Sequence, residues 1–120
     1  GWIEDYNEAL QVASQNGKPI FLDFTGYTCT NCRWMEKNIF VKHEVEELFE
    51  NFVLVRLYTD GGENAREYQQ MEIDRYGTSA LPFYVVIDKN EKEINSFHGM
   101  DPDASKFIDF LNSSLKGFSD

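Results

Sequence analysis

Only two cysteines, Cys29 and Cys32, occur in the 120 residues of this chain. That is too few for a disulfide scaffold, so any fold must be held by an apolar core. Apolar residues make up 42% of the chain and aromatics 15%, which suits one compact domain over residues 1–120 and excludes a disordered chain. No stretch approaches the roughly 18 continuous apolar residues of a membrane helix. The longest run, Phe83-Tyr84-Val85-Val86-Ile87, has only strand length, so no membrane insertion of this domain is expected. Basic residues are scarce, 11 against 21 acidic ones, and the net charge of -10 repels phosphate backbones and anionic lipid. Nucleic acid is therefore excluded as a partner. The local cluster Glu44, Glu46, Glu47 and Glu50 reads as a solvated helix face. Repeats, low-complexity tracts and linkers are also missing. A charged-then-apolar leader does not follow Gly1, which leaves either a cytosolic protein or an exported one whose signal has been removed.

The pattern that is present alternates helix and strand. Tyr6, Ala9, Leu10 and Ala13 recur at helical spacing behind Asp5 and Glu8, predicting a helix over about 5–15 that Asn16-Gly17-Lys18-Pro19 ends. Ile20 to Phe24 is apolar except for Asp23, the pattern of a strand buried on both faces in a sheet with parallel pairing. From Cys29 to about Asn51 there is neither Gly nor Pro, and one long helix is expected, with a kink near Val41 to His43. A strand over Phe52–Tyr58, a turn at Thr59-Asp60-Gly61-Gly62 and a helix over Asn64–Tyr76 follow. Pro82 opens a strand Phe83–Asp88 that pairs as a hairpin with Glu93–His98. Asp101 as cap, with Pro102 at the first helical position, starts a terminal helix with the stripe Phe107, Phe110, Leu111 and Leu115. The sum is an α/β domain whose central sheet is flanked by helices on both faces.

Cys29 and Cys32 fall where the strand and a short turn, Thr25-Gly26-Tyr27-Thr28, give way to the long helix. A thiol in a first helical turn meets unpaired amides and the positive end of the helix dipole, which favour thiolate, the attacking species. Cys32, one turn on, can reach Cys29 and displace a substrate from it. Redox chemistry with Cys29 as nucleophile and Cys32 as resolver follows. A merely structural disulfide is the weaker reading, since so small a ring yields only about 2 kcal/mol by loop entropy. A metal site needs about four ligands, and the chain offers these thiols, His43, His98 and scattered carboxylates; no metal or other cofactor is expected. Arg33 follows Cys32 where a c-type haem motif requires His. A binding module with vestigial cysteines and, behind it, a metal-binding domain stay open as alternatives. Around the sulfurs, Arg33 and Lys37 favour thiolate and Glu36 opposes it.

The strand, the helix-start cysteines and the later proline, taken in this order, resemble the thioredoxin superfamily over nearly the whole chain. More narrowly, Gly17-Lys18-Pro19-Ile20-Phe21-Leu22-Asp23-Phe24, Cys32-Arg33-Trp34-Met35-Glu36, Phe40, Val45 and Asn51-Phe52-Val53 resemble the thioredoxin-like family that includes the C-terminal domain of bacterial thiol:disulfide interchange (Dsb-type) proteins. The resemblance implies a thioredoxin-like fold with a central mixed sheet. It implies a thiol:disulfide oxidoreductase that reduces or isomerises protein disulfides and draws electrons from an upstream dithiol donor, in a monomer that is exported or periplasmic. It makes Asp23 a buried acid that takes or relays the resolving thiol's proton. A carboxylate in a buried strand has a raised pKa, which suits that task, while Arg56 on the neighbouring strand would pair with it and lower the pKa. The resemblance also assigns substrate contact to Thr28, Leu81 and Pro82, with a cis Leu81-Pro82 bond facing the cysteines. Thr28 replaces the aromatic residue common before the first cysteine, and Thr30-Asn31 replaces Gly-Pro; these departures leave the redox direction open.

Overall fold

The computed structural model describes residues 1–119. In chain order they form α1 (Tyr6–Asn16), β1 (Ile20–Thr25), α2 (Thr30–Asn38), α3 (His43–Phe49), β2 (Val53–Tyr58), α4 (Ala65–Tyr76), β3 (Phe83–Ile87), β4 (Glu93–His98) and α5 (Ala104–Gly117). The sheet is four-stranded in the order β2-β1-β3-β4. Every residue of β1 is buried. It runs parallel to β2 on one side but antiparallel to β3 on the other, so the expected parallel setting holds on one edge only and the sheet is mixed.

Alternation along β1 divides the core. Ile20, Leu22 and Phe24 pack into one cluster with Ala9 and Ala13 of α1 and Tyr68 of α4. Phe21 enters the other with Met35 of α2, Val45 of α3 and Phe107 of α5. Asp23, two residues on from Phe21, therefore points to the face that α2 covers. α1 is bounded as its sequence requires: the Asp5 carboxylate accepts from the Glu8 N–H at 2.9 Å, and Gly17 closes the helix at φ 71°, a conformation glycine adopts without strain.

The single helix expected over 29–51, kinked near Val41 to His43, is two, with the chain leaving helix after Asn38 and resuming it at His43. The N–H groups of Ile39 and Phe40 both donate to the Met35 carbonyl, at 2.9 and 3.0 Å, and the Lys42 N–H returns to Ile39 at 3.1 Å. No glycine or proline is needed for this break because packing imposes it. Ile39 and Phe40 are both buried, and Phe40 stacks on Trp2 and Phe107 at 5.8 and 5.5 Å, while Val41 is turned outward. A second correction concerns α5. Asp103, not Asp101, caps it by accepting from Ser105 N–H at 3.0 Å, and Pro102 precedes the cap. Asp101 instead accepts from the Asp103 N–H at 2.9 Å, shaping the turn before it.

The first residues, assigned no element from sequence, extend the sheet. Ile3 bridges to Val55, its N–H donating to Leu54 at 2.9 Å and its carbonyl accepting from Arg56 at 2.8 Å. Trp2 meanwhile enters the aromatic cluster against Phe21, Phe40 and Phe49. None of the described helices is long and apolar enough to cross a membrane.

One buried group stands apart. Glu72 of α4 is sealed from solvent and neither carboxylate oxygen has a hydrogen-bond partner. Burial pushes its pKa up to about 8 from 4.5. The folded protein keeps this proton over a range where the unfolded chain has released it, so stability falls as pH rises from about 4.5 to about 8. Glu72→Met removes the buried acid at similar length. It is expected to raise the melting temperature by several degrees, with a larger gain at pH 8 than at pH 5, read from thermal unfolding at the two pH values.

Candidate active site

β1 delivers the chain to a short turn and α2 takes it away. Cys29 is the N-cap of α2 and Cys32 lies in its first turn. The two are joined as a disulfide with Cα atoms 5.2 Å apart. The Cys29 sulfur accepts the Cys32 backbone N–H at 3.1 Å, so a sulfur fills the place a capping oxygen usually takes. The two sulfurs differ in access: Cys29 is half-buried, whereas Cys32 is only 2% exposed. Of the two, Cys29 is the sulfur open to approach from outside.

The turn is held from outside by Asp60, which follows β2. Its carboxylate accepts from the Tyr27 N–H at 2.8 Å, the Thr28 N–H at 3.2 Å and the Thr28 hydroxyl at 3.1 Å. Those donors keep the Asp60 pKa below the ordinary carboxylate range. Thr28 is thus tied down beside Cys29, its hydroxyl already engaged. Gly26 is a close-approach position: a Cβ there would lie 2.8 Å from an Asp60 oxygen and 3.1 Å from a methyl of Leu81. Leu81 is therefore packed beside the turn. The Leu81–Pro82 bond is cis, Pro82 is buried, and its carbonyl accepts from Gly99 N–H at 2.9 Å. Chain segments far apart in sequence thus meet around the approach to Cys29.

Beneath the turn lies a partly buried ion network. Arg33 donates to the Thr25 hydroxyl at 2.9 Å and to Glu36 at 2.7 Å. Glu36 also faces Arg56 at 3.8 Å, and Arg56 reaches Asp23 at 3.4 Å. The Arg56 guanidinium lies 4.2 Å over the Trp2 ring, which covers it with apolar surface. Asp23 is 1% exposed, and its second oxygen has no partner. Desolvation by burial is the largest influence on it and pushes its pKa up to about 7; Arg56 opposes this, Glu36 adds to it and Arg33 opposes it. Both sequence arguments about Asp23 hold physically, and burial outweighs the Arg56 pair. Tyr84, opposite Asp23 in register, has its phenol pushed up mainly by burial. Lys37 lies in the last turn of α2, away from the cap, and Arg33 is spent on Thr25 and Glu36. His43 is exposed on α3, paired with Glu47.

Asp60, Glu36 as a bridge and Trp2 as a cover were not singled out from sequence. Asp60 could be seen only as turn chemistry, because its partners stand 32 and 33 positions away.

A mixed sheet between helical layers, a CxxC disulfide at a helix N-terminus and a cis-proline loop beside it define a thioredoxin-fold dithiol centre of the thiol:disulfide oxidoreductase type. The family model described as Thioredoxin-like matches residues 1–89, and the chain belongs to that family. The thiol:disulfide interchange protein DsbD of Campylobacter jejuni is 25% identical over 83 residues, 69% of this chain but 15% of that protein; the chain thus spans a small part of its curated relative's length. A structure described as DsbH oxidoreductase superposes with a TM-score of 0.70 at 28% identity, covering 97% of this chain and 84% of that one. The reduced C-terminal domain of Neisseria meningitidis DsbD gives 0.74 at 20% identity, covering 90% and 92%, a likeness of fold.

Removal of the Asp60 carboxylate leaves the turn without its outer anchor. Asp60→Ala is expected to lower kcat/KM toward a disulfide substrate about 10-fold, with a fall in melting temperature of a few degrees, because the lost contacts are charge-assisted. Turnover assays and thermal unfolding check both.

Proposed function

We propose that the chain reduces or isomerises disulfides in other polypeptides through Cys29 and Cys32. The observation that carries this is the unequal placement of the two sulfurs, one accessible at the helix cap and the other buried one turn on. In the reduced protein the Cys29 thiolate attacks a substrate disulfide, forming a mixed disulfide and releasing one substrate thiolate. Cys32 then loses its proton and attacks Cys29, releasing the second substrate thiolate and leaving the Cys29–Cys32 disulfide. Two electrons pass to the substrate, and an upstream dithiol restores them. In an isomerisation the first released thiolate attacks elsewhere before Cys32 acts.

Asp23 is the group we assign to take the Cys32 proton. A carboxylate with a pKa of about 7 is ionised in enough molecules near neutrality to accept a proton and protonated in enough to return one. Thr28, Leu81 and cis-Pro82 form the rim against which the substrate backbone lies. The likeness to DsbD and DsbH supports protein disulfides as substrates, a dithiol electron donor and an extracytoplasmic location. In this reading the domain acts as a monomer.

The reduced protein is expected to turn over insulin-like or glutathione disulfides. Cys29→Ser abolishes turnover and Cys32→Ser accumulates the mixed disulfide, seen by non-reducing electrophoresis; full activity in both would end this reading. Asp23→Asn leaves the first attack intact and slows resolution by about 100-fold at pH 7. Ionised Asp23 is the base, so the wild-type resolution rate rises through pH 7 and that rise disappears in the variant, as stopped-flow measurement across pH 5–9 would show.

A further inference from the structure

Tyr27, two residues before Cys29, is 53% exposed, yet its position is closely determined. Its N–H is bound by Asp60 at 2.8 Å. Its ring lies flat on Tyr58, centroids 3.8 Å apart and planes 8° from parallel. Gly61 passes so near that a Cβ there would sit 3.1 Å from the ring. A large aromatic held this way loses little entropy when something packs against it.

The stacked pair walls a recess of ≈ 180 Å³ whose lining also includes Glu4, Glu63 and Tyr68. No Lys or Arg contributes to that lining. The nearby cations Arg33 and Arg56 are committed to Glu36 and Asp23, and Asp60 to the turn. Two carboxylates and tyrosine rings are thus gathered with no lysine or arginine among the lining residues, an arrangement that attracts a cation. The place matters as much as the charge. Chain geometry keeps the Cα atoms of Tyr27 and Cys29 within about 8 Å, close to the ~7 Å that separates residues two apart in an extended peptide.

Resting on the redox reading above, we propose that this recess is a specificity subsite for a basic side chain of the substrate polypeptide, carried about two residues from the cysteine whose disulfide Cys29 attacks. The substrate class is therefore disulfides flanked by lysine or arginine.

The test uses symmetric disulfide dimers of a short peptide carrying arginine, glutamine or glutamate two residues from its single cysteine. Each kcat/KM is divided by the rate of reduction by free dithiothreitol, which removes the peptide's own charge effect on the chemistry. At low ionic strength the arginine dimer is expected to exceed the glutamate dimer by roughly 10-fold, with glutamine between, and the ratio shrinks as salt rises. In Tyr27→Ala/Glu63→Gln the ratio falls to within about 2-fold. Glu44→Gln, which removes one negative charge on α3, keeps the full ratio. Equal normalised rates in the wild type would overturn the subsite alone, as would a ratio that survives the double variant or that Glu44→Gln lowers equally. Failure to reduce any of the dimers would overturn the redox reading and the subsite with it.

Discussion

The central strand has no side that faces water, and the rest of the site follows from that. β1 is enclosed by β2 and β3 at its edges and by helices above and below. A strand so placed reads as apolar throughout, and a carboxylate within it cannot be solvated. Asp23 occupies that position on the α2 side. Arg56, Glu36 and Arg33 surround it with charges of both signs, so no single partner neutralises it. The result is an acid balanced between its two protonation states, placed on the strand that leads directly to the cysteines.

Position and shape are supplied by different parts of the molecule. The strand decides where α2 begins, but the turn between them is shaped by groups from elsewhere, with Asp60 binding its amides and Leu81 closing against Gly26. The helix contributes the Cys32 amide of its first turn to the Cys29 sulfur, which is a local effect. A redox pair of this kind is thus partly a helix-cap motif and partly a tertiary assembly.

That division explains what the sequence revealed. The alternation of elements, the burial of β1, the cysteines at a helix start and the acid between apolar neighbours are local patterns, and they appear in the structure as read. The cis-proline was legible only through family likeness, since local chemistry gives most such bonds a trans form. A kink near Val41 to His43 was legible from the slip in apolar spacing, but its depth, a full break that starts after Asn38, was not, because Ile39-Phe40-Val41-Lys42 contains no glycine or proline. The break comes from aromatic packing onto Trp2 and Phe107, which are distant in sequence. Asp60 was likewise visible as a residue, while its partners became visible only after folding; the Arg56–Asp23 pair was legible earlier, because the two residues stand on neighbouring strands. Glu72 was overlooked because a glutamate in a helix pattern looks like a surface residue until neighbours enclose it.

Trp2 gives the structure a mechanical property. Its ring roofs the Arg56 guanidinium, and the adjoining Ile3 is fastened to β2 by two backbone hydrogen bonds. Pulling the first three residues off the sheet edge would lift that roof and expose more of Arg56, which also reaches Asp23. Tension applied at Gly1 would therefore reach the Arg56–Asp23 pair through a single indole.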